Sequence, residues 1–372
     1  MRVAIVINTS WNIYNFRMSL IEALLAEGHE VVAIAPKDAY SQRLMAAGCT
    51  FVPVEMEQGT NPITDLYLVW RLYKTYKKVK PDVLLHYTIK PNIYGAVAAH
   101  WAGIPAINNV SGLGTVFITK DYISSIALKL YKYAFRYPAK VFFQNKDDRR
   151  LFLRNKLVRA GITEVLPGSG INLQQFVPAE GFARNRPFVF LMVARVLYDK
   201  GVVEFVQASK LVQEKYPDVK CRLLGAVYER SRSGIRHQKL QEWLATGVIE
   251  YLGATDDVAA VIDTADCVVL PSYREGTPRT LLEAAAMAKP LIATNVPGCR
   301  EVVEHGQNGL LCRVRSAQDL ADKMLQMVQL SDEELERMGQ VSRQIAVTRF
   351  DDRIVIQKYL HAIEEVTCQV RV

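Results

Sequence analysis

Along this chain, short runs of Val, Ile, Leu, Phe and Ala alternate with longer stretches in which apolar residues recur every third or fourth position. A short, continuous apolar run is the pattern of a strand covered on both faces, and the longer period is that of an amphipathic helix. Their alternation predicts parallel α/β units. In the first half, strands are expected at Val3–Ile7, Val31–Ala35, Phe51–Val54, Val83–Leu85, Ala106–Val110, Val141–Phe143 and Glu164–Leu166. Helices are expected between them at Phe16–Ala26, Asp65–Lys80, Ile93–Trp101, Tyr122–Phe135 and Lys146–Arg159. From Pro167 to Pro187 the period disappears in a stretch rich in Gly, Pro and Asn, the composition of an interdomain linker. A second series follows, with strands at Phe188–Val193, Val219–Leu224, Ile249–Leu252, Asp266–Leu270, Leu291–Ala293 and Leu310–Cys312, closed by helices Ser331–Val347 and Asp352–Val366.

The expected organisation is therefore an α/β protein of two Rossmann-like domains facing a cleft. Residues 1–168 form the first domain, residues 169–187 the linker and residues 188–350 the second domain, with residues 351–372 returning to the first. The length of 372 residues suits two domains. Ligands of such sheets bind beyond the carboxyl ends of the strands, so candidate chemistry is sought just after each strand.

After Asp266–Leu270 the chain reads PSYREGTPRTLLEAAAMAKP. Here a loop with Glu275 and Gly276 runs into a helix expected to begin near Thr277 and Pro278, with the proline in its first turn. The N–H groups and positive dipole end of that helix suit an anion. Glu283, one to two turns in, is placed to meet a diol beside a phosphate, while Glu275 reaches another part of the same ligand. The bland alternative is a solvated loop carboxylate and a helix-surface residue. After Phe188–Val193, Arg195 and Lys200 flank one turn, where they would neutralise a diphosphate without a metal; alternatively they are surface charges.

Together, Arg195-x4-Lys200, Glu275-x7-Glu283 and the closing helix 350–366 resemble family 4 glycosyltransferases of the GT-B fold. The resemblance implies a retaining transferase using a nucleotide sugar. Arg195 and Lys200 would hold the donor diphosphate, Glu283 the ribose, and Glu275 the sugar, with Gly276, Thr277 and Pro278 at the donor phosphates. The terminal helix would cross back to the first domain. Residues 13–17 (Ile13, Tyr14, Asn15, Phe16, Arg17), 88–95 (Thr88 to Gly95) and 109–114 (Asn109 to Gly114) resemble the bacterial branch that extends polyprenyl-diphosphate-linked sugars for O-antigen, capsule or N-glycan assembly, often with UDP-linked N-acetylhexosamines. Tyr14, Asn15, His86, Lys90, Asn92 and Ser111 become candidates for acceptor or donor-sugar contacts. Two features depart from many relatives. The first β-to-α loop, Asn8 to Asn12, lacks a glycine pair, and Ser111 stands where many have His. His86 is a stand-in for that histidine, or else a structural residue.

No D-x-D motif is present, and Asp256-Asp257 and Asp351-Asp352 read as helix starts. No metal and no cofactor is expected beyond the nucleotide-sugar co-substrate. The six cysteines form no C-x-x-C pair and read as buried thiols of a reducing compartment. The only approximation to a dinucleotide fingerprint, Gly112-Leu113-Gly114, has Phe117 in the third position, which argues against an oxidoreductase. A transferase acting on a soluble or other glycolipid acceptor, and a nucleotide-sugar epimerase of the same fold, stay open.

Charge adds one further expectation. The formal net charge is +8 and the isoelectric point about 9.1. Residues 1–170 hold 21 Lys and Arg against 12 Asp and Glu, whereas the remainder holds 25 against 26. The excess concentrates in residues 66–80 and 120–159, interleaved with aromatics. The spacing of Leu66, Val69, Tyr73 and Tyr76 suits a core-facing stripe or an interfacial helix better than a base-stacking surface, so nucleic acid is not expected. The expected partners are a UDP-sugar, a lipid-diphosphate-linked glycan and an anionic membrane surface met by the two basic stretches. The expected location is cytoplasmic, peripheral on the cytosolic face of the inner membrane. The first residues lack the apolar core of a signal peptide, and no run is long and apolar enough for a span.

Overall fold

The computed structural model describes the chain apart from residues 58, 60, 114–121, 180–186, 230, 232 and 371–372. Parts of several expectations lie outside the described residues: Gly114 of the 109–114 segment, Lys120 and Asp121 of the second basic stretch, residues 180–186 of the linker and the last two residues of the terminal helix.

The chain divides into two compact units, Met1–Ser169 with Asp352–Val372, and Gly170–Asp351. The first contains strands β1 (Arg2–Val6), β2 (Glu30–Ala35), β3 (Thr50–Pro53), β4 (Val83–Tyr87), β5 (Ala106–Val110), β6 (Lys140–Phe143) and β7 (Thr163–Val165), all parallel, in the order β3-β2-β1-β4-β5-β6-β7. The second contains β8 (Val189–Val193), β9 (Lys220–Leu224), β10 (Glu250–Tyr251), β11 (Cys267–Leu270), β12 (Leu291–Thr294) and β13 (Gly309–Cys312), also parallel, in the order β10-β9-β8-β11-β12-β13. The strand order reverses beside β1 in the first sheet and beside β8 in the second.

The central strands are apolar throughout because both faces are covered. Val3 and Ile5 of β1 pack with the helix Ser10–Ala26 through Ile13, Leu20 and Leu24, and with Val355, Tyr359 and Ile363 of the terminal helix Asp352–Val370. Their neighbours Ala4 and Val6 turn to the opposite face, against Leu68, Leu72 and Tyr76 of the helix Pro62–Val79. In the second unit, Phe190 and Met192 of β8 meet Phe205 of the helix Val202–Gln213, while Val189, Leu191 and Val193 meet Leu282 and Ala285 of the helix Arg279–Ala286. The terminal helix is fixed to the first unit by Tyr359 packing edge-on to Phe142 and by ion pairs Lys358–Glu164 at 2.6 Å and Glu365–Lys140 at 2.9 Å.

Several local outcomes differ from or divide the sequence pattern. The stretch expected to be a linker contributes Ile171 and Phe176 to the core of the second unit, and Ile171 N–H donates to Phe350 O at 2.8 Å. Two apolar anchors there were hidden by the surrounding Gly and Asn. The helix expected over Lys146–Arg159 stops at Arg154, because Asn155 caps it and Lys156 turns left-handed at φ 51°. The helix expected from Ile93 starts earlier, with a π-turn Pro91–Gly95 running into Ala96–Ala102. The spacing of Leu66, Val69 and Tyr76, read as a core-facing stripe or an interfacial helix, divides between two faces: Leu66 is 68% exposed, whereas Val69 and Tyr76 are buried. Cys368 is likewise exposed while the other five thiols are buried. Among the described residues no helix is long and apolar enough to cross a membrane.

Candidate active site

The carboxyl ends of β8 and β11, adjacent in the second sheet at its reversal point, carry Arg195, Lys200 and Glu275 in the loops that follow them. Beyond β8, Val196 bridges to Val227, and a 3-10 turn, Tyr198–Lys200, ends at Gly201. Gly201 has φ 76°, and a Cβ there would stand 2.2 Å from the carbonyl oxygen of Pro271. Glycine is needed twice over, for the left-handed backbone and for the close approach to the first residue after β11. Tyr273 N–H then donates to Asp199 O at 2.9 Å, which stitches the two loops together. A third loop joins at Gly298, beyond β12, where a Cβ would lie 2.4 Å from Gly276 O.

This backbone framework brings Lys200 and Glu275 together. Lys200 Nζ donates to Glu275 Oε1 at 2.5 Å, and Ser272 Oγ donates to the same oxygen at 2.7 Å. Both charged side chains are largely buried, so the pair is held in a poorly screened environment where removal of either partner leaves an uncompensated charge. Arg195, by contrast, is exposed, with its guanidinium 5.7 Å from the centre of the Tyr228 ring.

The helix carrying Glu283 begins at Arg279, so Pro278 is its capping residue rather than part of its first turn. The extended backbone of Pro278 lets its carbonyl accept from Leu281 N–H at 3.1 Å. Thr280 Oγ1 donates to Val193 O at 3.1 Å, tying that first turn to the end of β8 just before Arg195. Glu283 is buried, and Arg279 Nε donates to its Oε1 at 3.0 Å. Burial pushes the Glu283 carboxyl above the usual carboxylate range, against the opposing pull of Arg279. Gly276, Thr277 and Pro278 are buried in the loop between Glu275 and this helix.

In the first unit the candidates cluster at the equivalent reversal point, beyond β1 and β4, but most are already committed to structure. His86 is fully buried in β4. Asn108 Nδ2 donates to Asn92 O at 2.9 Å, which leaves Asn108 Oδ1 to accept from His86 Nδ1–H at 2.9 Å, and Tyr76 OH then donates to His86 Nε2 at 3.0 Å. Burial lowers the His86 pKa to about 4, so the ring is neutral near pH 7. Of the two readings of His86, stand-in for a sugar-contacting histidine or structural residue, this network matches the structural one, because both ring nitrogens already have partners. The same network explains Gly95, where a Cβ would lie 2.9 Å from His86 Nε2.

Lys90 is paired with buried Asp65 at 2.6 Å, and Tyr94 OH donates to the second oxygen of that carboxylate at 2.9 Å. Asn92 Nδ2 donates to Asn109 O at 2.7 Å. Tyr14 packs on Tyr40, and Asn15 Nδ2 donates back to Trp11 O at 2.9 Å. Ser111 is half-buried just beyond β5. In the first loop, which lacks the glycine pair, two amides are engaged: Thr9 Oγ1 accepts from Asn12 N–H at 3.1 Å and Asp38 Oδ2 from Trp11 N–H at 3.2 Å.

The sequence pattern did not single out Arg279, Tyr228, Gly298 or the support beneath Tyr273. There Tyr273 OH donates to Glu204 at 2.7 Å, and Arg315 lies 4.6 Å from the ring centre. Glycines after the strands were the available signal, but their close approaches join separate loops, Gly201 with Pro271 across 70 positions and Gly298 with Gly276 across 22. Among the described residues no three of His, Cys, Asp and Glu converge to hold a metal ion.

Residues 174–345 match the family described as Glycosyl transferases group 1, and residues 2–145 match that described as Glycosyl transferase 4-like. The chain is 31% identical to the N,N'-diacetylbacillosaminyl-diphospho-undecaprenol alpha-1,3-N-acetylgalactosaminyltransferase of Campylobacter jejuni, over 98% of this chain and 99% of the relative. It is 24% identical to the UDP-Gal:alpha-D-GlcNAc-diphosphoundecaprenol alpha-1,3-galactosyltransferase of Escherichia coli, over 81% and 79% of the two chains. Among solved structures, Anabaena HepE in complex with UDP and glucose superposes with a TM-score of 0.81 at 20% identity, covering 98% of this chain and all of the other.

Gly201→Ala should destabilise the second unit more than Gly247→Ala, measured by urea unfolding. Both positions have positive φ, which alone costs ~1 kcal/mol or more, but a Cβ at Gly247 meets nothing within 4 Å. Equal losses would remove the argument from close approach. For His86, the unfolded chain binds a proton near pH 6.5 that the folded chain refuses until about pH 4. Stability should therefore fall as pH drops through that window, by at most about 1.4 kcal/mol per unit. His86→Gln should flatten this component of the pH profile.

Proposed function

This chain belongs to the glycosyltransferases of group 1, built as two Rossmann-like units of the GT-B fold, and on that premise we propose that it transfers an N-acetylhexosamine from a UDP-sugar to a polyprenyl-diphosphate-linked glycan, with retention. The observation that carries the donor half of this reading is the Lys200–Glu275 junction at the reversal point of the second sheet. One cation and one carboxylate, each largely shielded from water, stand together where an α/β sheet receives a nucleotide. The acceptor half rests on the two relatives above, both named as acting on undecaprenol-diphosphate-linked sugars.

In the proposed reaction, the bond between the anomeric carbon and the UDP β-phosphate oxygen breaks while an acceptor hydroxyl bonds to the same carbon on the same face. The hydroxyl proton passes to the departing phosphate oxygen, and UDP leaves. Arg195 and Lys200 offset the charge that accumulates on the diphosphate as this bond breaks, which lowers the barrier more than it strengthens ground-state binding. Lys200 exchanges its carboxylate partner for phosphate, and Glu275, released from it, orients the sugar hydroxyls. Glu283 receives the ribose diol, with Arg279 holding one of its oxygens, and Gly276, Thr277 and Pro278 line the phosphates. Alpha linkages in the names of both relatives, set against the alpha anomeric bond of common UDP-hexoses, support retention. In the first unit, Tyr14, Asn15, Ser111 and the Lys90–Asp65 pair face the acceptor role, and no divalent cation takes part.

Release of UDP should require a polyprenyl-diphosphate-linked sugar, and formation of product from donor alone would favour an epimerase instead. Arg195→Ala and Lys200→Ala should lower kcat by roughly 100-fold or more, whereas Glu283→Ala should chiefly raise the KM for the donor. Wild-type rates for all three at saturating donor would overturn the assignment. Activity should persist in EDTA; loss restored by magnesium would show that a metal does part of this work.

A further inference from the structure

The helix Pro62–Val79 has two apolar faces. The inner face, Leu68, Val69, Leu72 and Tyr76, is buried in the core of the first unit. The outer face carries Ile63, Leu66, Tyr67 and Trp70, which are 81%, 68%, 54% and 45% exposed. Their spacing of i, i+3, i+4 and i+7 aligns them as one stripe along the first half of the helix. Single exposed apolar residues are ordinary, but four large ones on adjacent turns mark a surface that meets another phase or molecule.

The charges around the stripe identify what it meets. Lys74 Nζ lies 3.7 Å from the centre of the Trp70 ring, and the Arg71 guanidinium lies 4.9 Å from that of Tyr67. Lys77 and Lys78 follow on the exposed last turn. The single acidic residue of the helix, Asp65, is buried and neutralised by Lys90. The exposed surface of this helix therefore offers apolar groups at one end and uncompensated cations at the other, joined by aromatic rings with a polar edge. That combination matches the boundary of an anionic bilayer: acyl chains for Ile63 and Leu66, the interfacial layer for Tyr67 and Trp70, and lipid phosphates for the lysines.

We propose that the outer face of Pro62–Val79 is a membrane-insertion element, which seats the first unit on an anionic lipid surface by burying Ile63, Leu66, Tyr67 and Trp70 below the headgroups. This deepens the proposed function, since a lipid-linked acceptor lies in such a surface. It differs from adhesion by bulk positive charge because the stripe supplies an apolar contribution that salt does not screen.

The test is flotation of the full chain with vesicles of phosphatidylcholine alone or containing phosphatidylglycerol, without donor or acceptor. Leu66→Ser/Trp70→Ser should lower partitioning on anionic vesicles on the order of tenfold, while Leu252→Ser, at a site 41% exposed in the second unit, should leave it unchanged. Lys74→Glu/Lys78→Glu should abolish the preference for phosphatidylglycerol. Brominated lipids should quench tryptophan fluorescence in the native chain and markedly less in Trp70→Phe. Native melting temperature of the double serine variant and native transfer to a short-chain, water-soluble acceptor separate lost docking from lost folding. Unchanged flotation by that variant overturns the proposal. A dimer in solution that the same variant dissociates, with flotation intact, overturns it in favour of contact between copies. Vesicle binding without any sugar transfer leaves the insertion element standing and rejects the proposed function instead.

Discussion

The second unit is organised around a backbone contact that admits no side chain. At Gly201 the turn after β8 lies against the carbonyl of Pro271, and this one approach sets the register between the two loops at the sheet's reversal point. Right-handed crossovers send the helices after β8 and β11 to opposite faces, which opens a crevice between adjacent loops. The Lys200–Glu275 pair fills that crevice. The pair is costly to bury, and its mutual attraction together with the Ser272 hydroxyl offsets part of the lost solvation. Tyr273, anchored by Glu204, and Thr280, anchored to Val193, keep the flanking segments from relaxing away.

The first unit uses the same topology with different material. Its reversal point, beyond β1 and β4, sets amides and a neutral histidine beside the Lys90–Asp65 ion pair, and two of its first-loop N–H groups donate to Thr9 and Asp38. Those bonds occupy two of the donors at the start of the helix Ser10–Ala26 on which anion binding would draw. Gly95 serves packing there, as Gly201 serves approach in the second unit. The charge excess of the first half is accordingly displaced from the sheet ends to helix surfaces, where long cationic side chains cover aromatic rings. The second unit thus gathers a few placed charges at its reversal point, whereas the first unit's excess charge is distributed over helix surfaces.

Much of this was legible from pattern. All thirteen strands coincide with expected apolar runs to within a residue or two, because strands covered on both faces have little freedom in composition. The loop positions of Arg195, Lys200 and Glu275 followed from strand ends, which the apolar runs mark clearly. Single side chains were less legible. Leu66 and Leu68 are chemically alike, two positions apart, and face opposite environments; periodicity alone cannot separate them in a helix apolar on two faces. His86 after a strand core reads the same whether it meets solvent or Tyr76 and Asn108, since its partners lie 10 and 22 positions away.

The sequence by itself therefore determined the fold class, the thirteen strands among the described residues, the two-fold repetition of α/β units and the loop positions of the candidate residues. These depend on local solvation and backbone propensity, which act over a few residues at a time. Only the tertiary structure decided which candidates keep their polar atoms available, since that depends on partners drawn from distant segments. It joined Lys200 to Glu275 across 75 positions, enclosed His86, and turned one face of Pro62–Val79 outward. Burial and pairing arise from chain segments meeting in space, and no local pattern records which segments will meet.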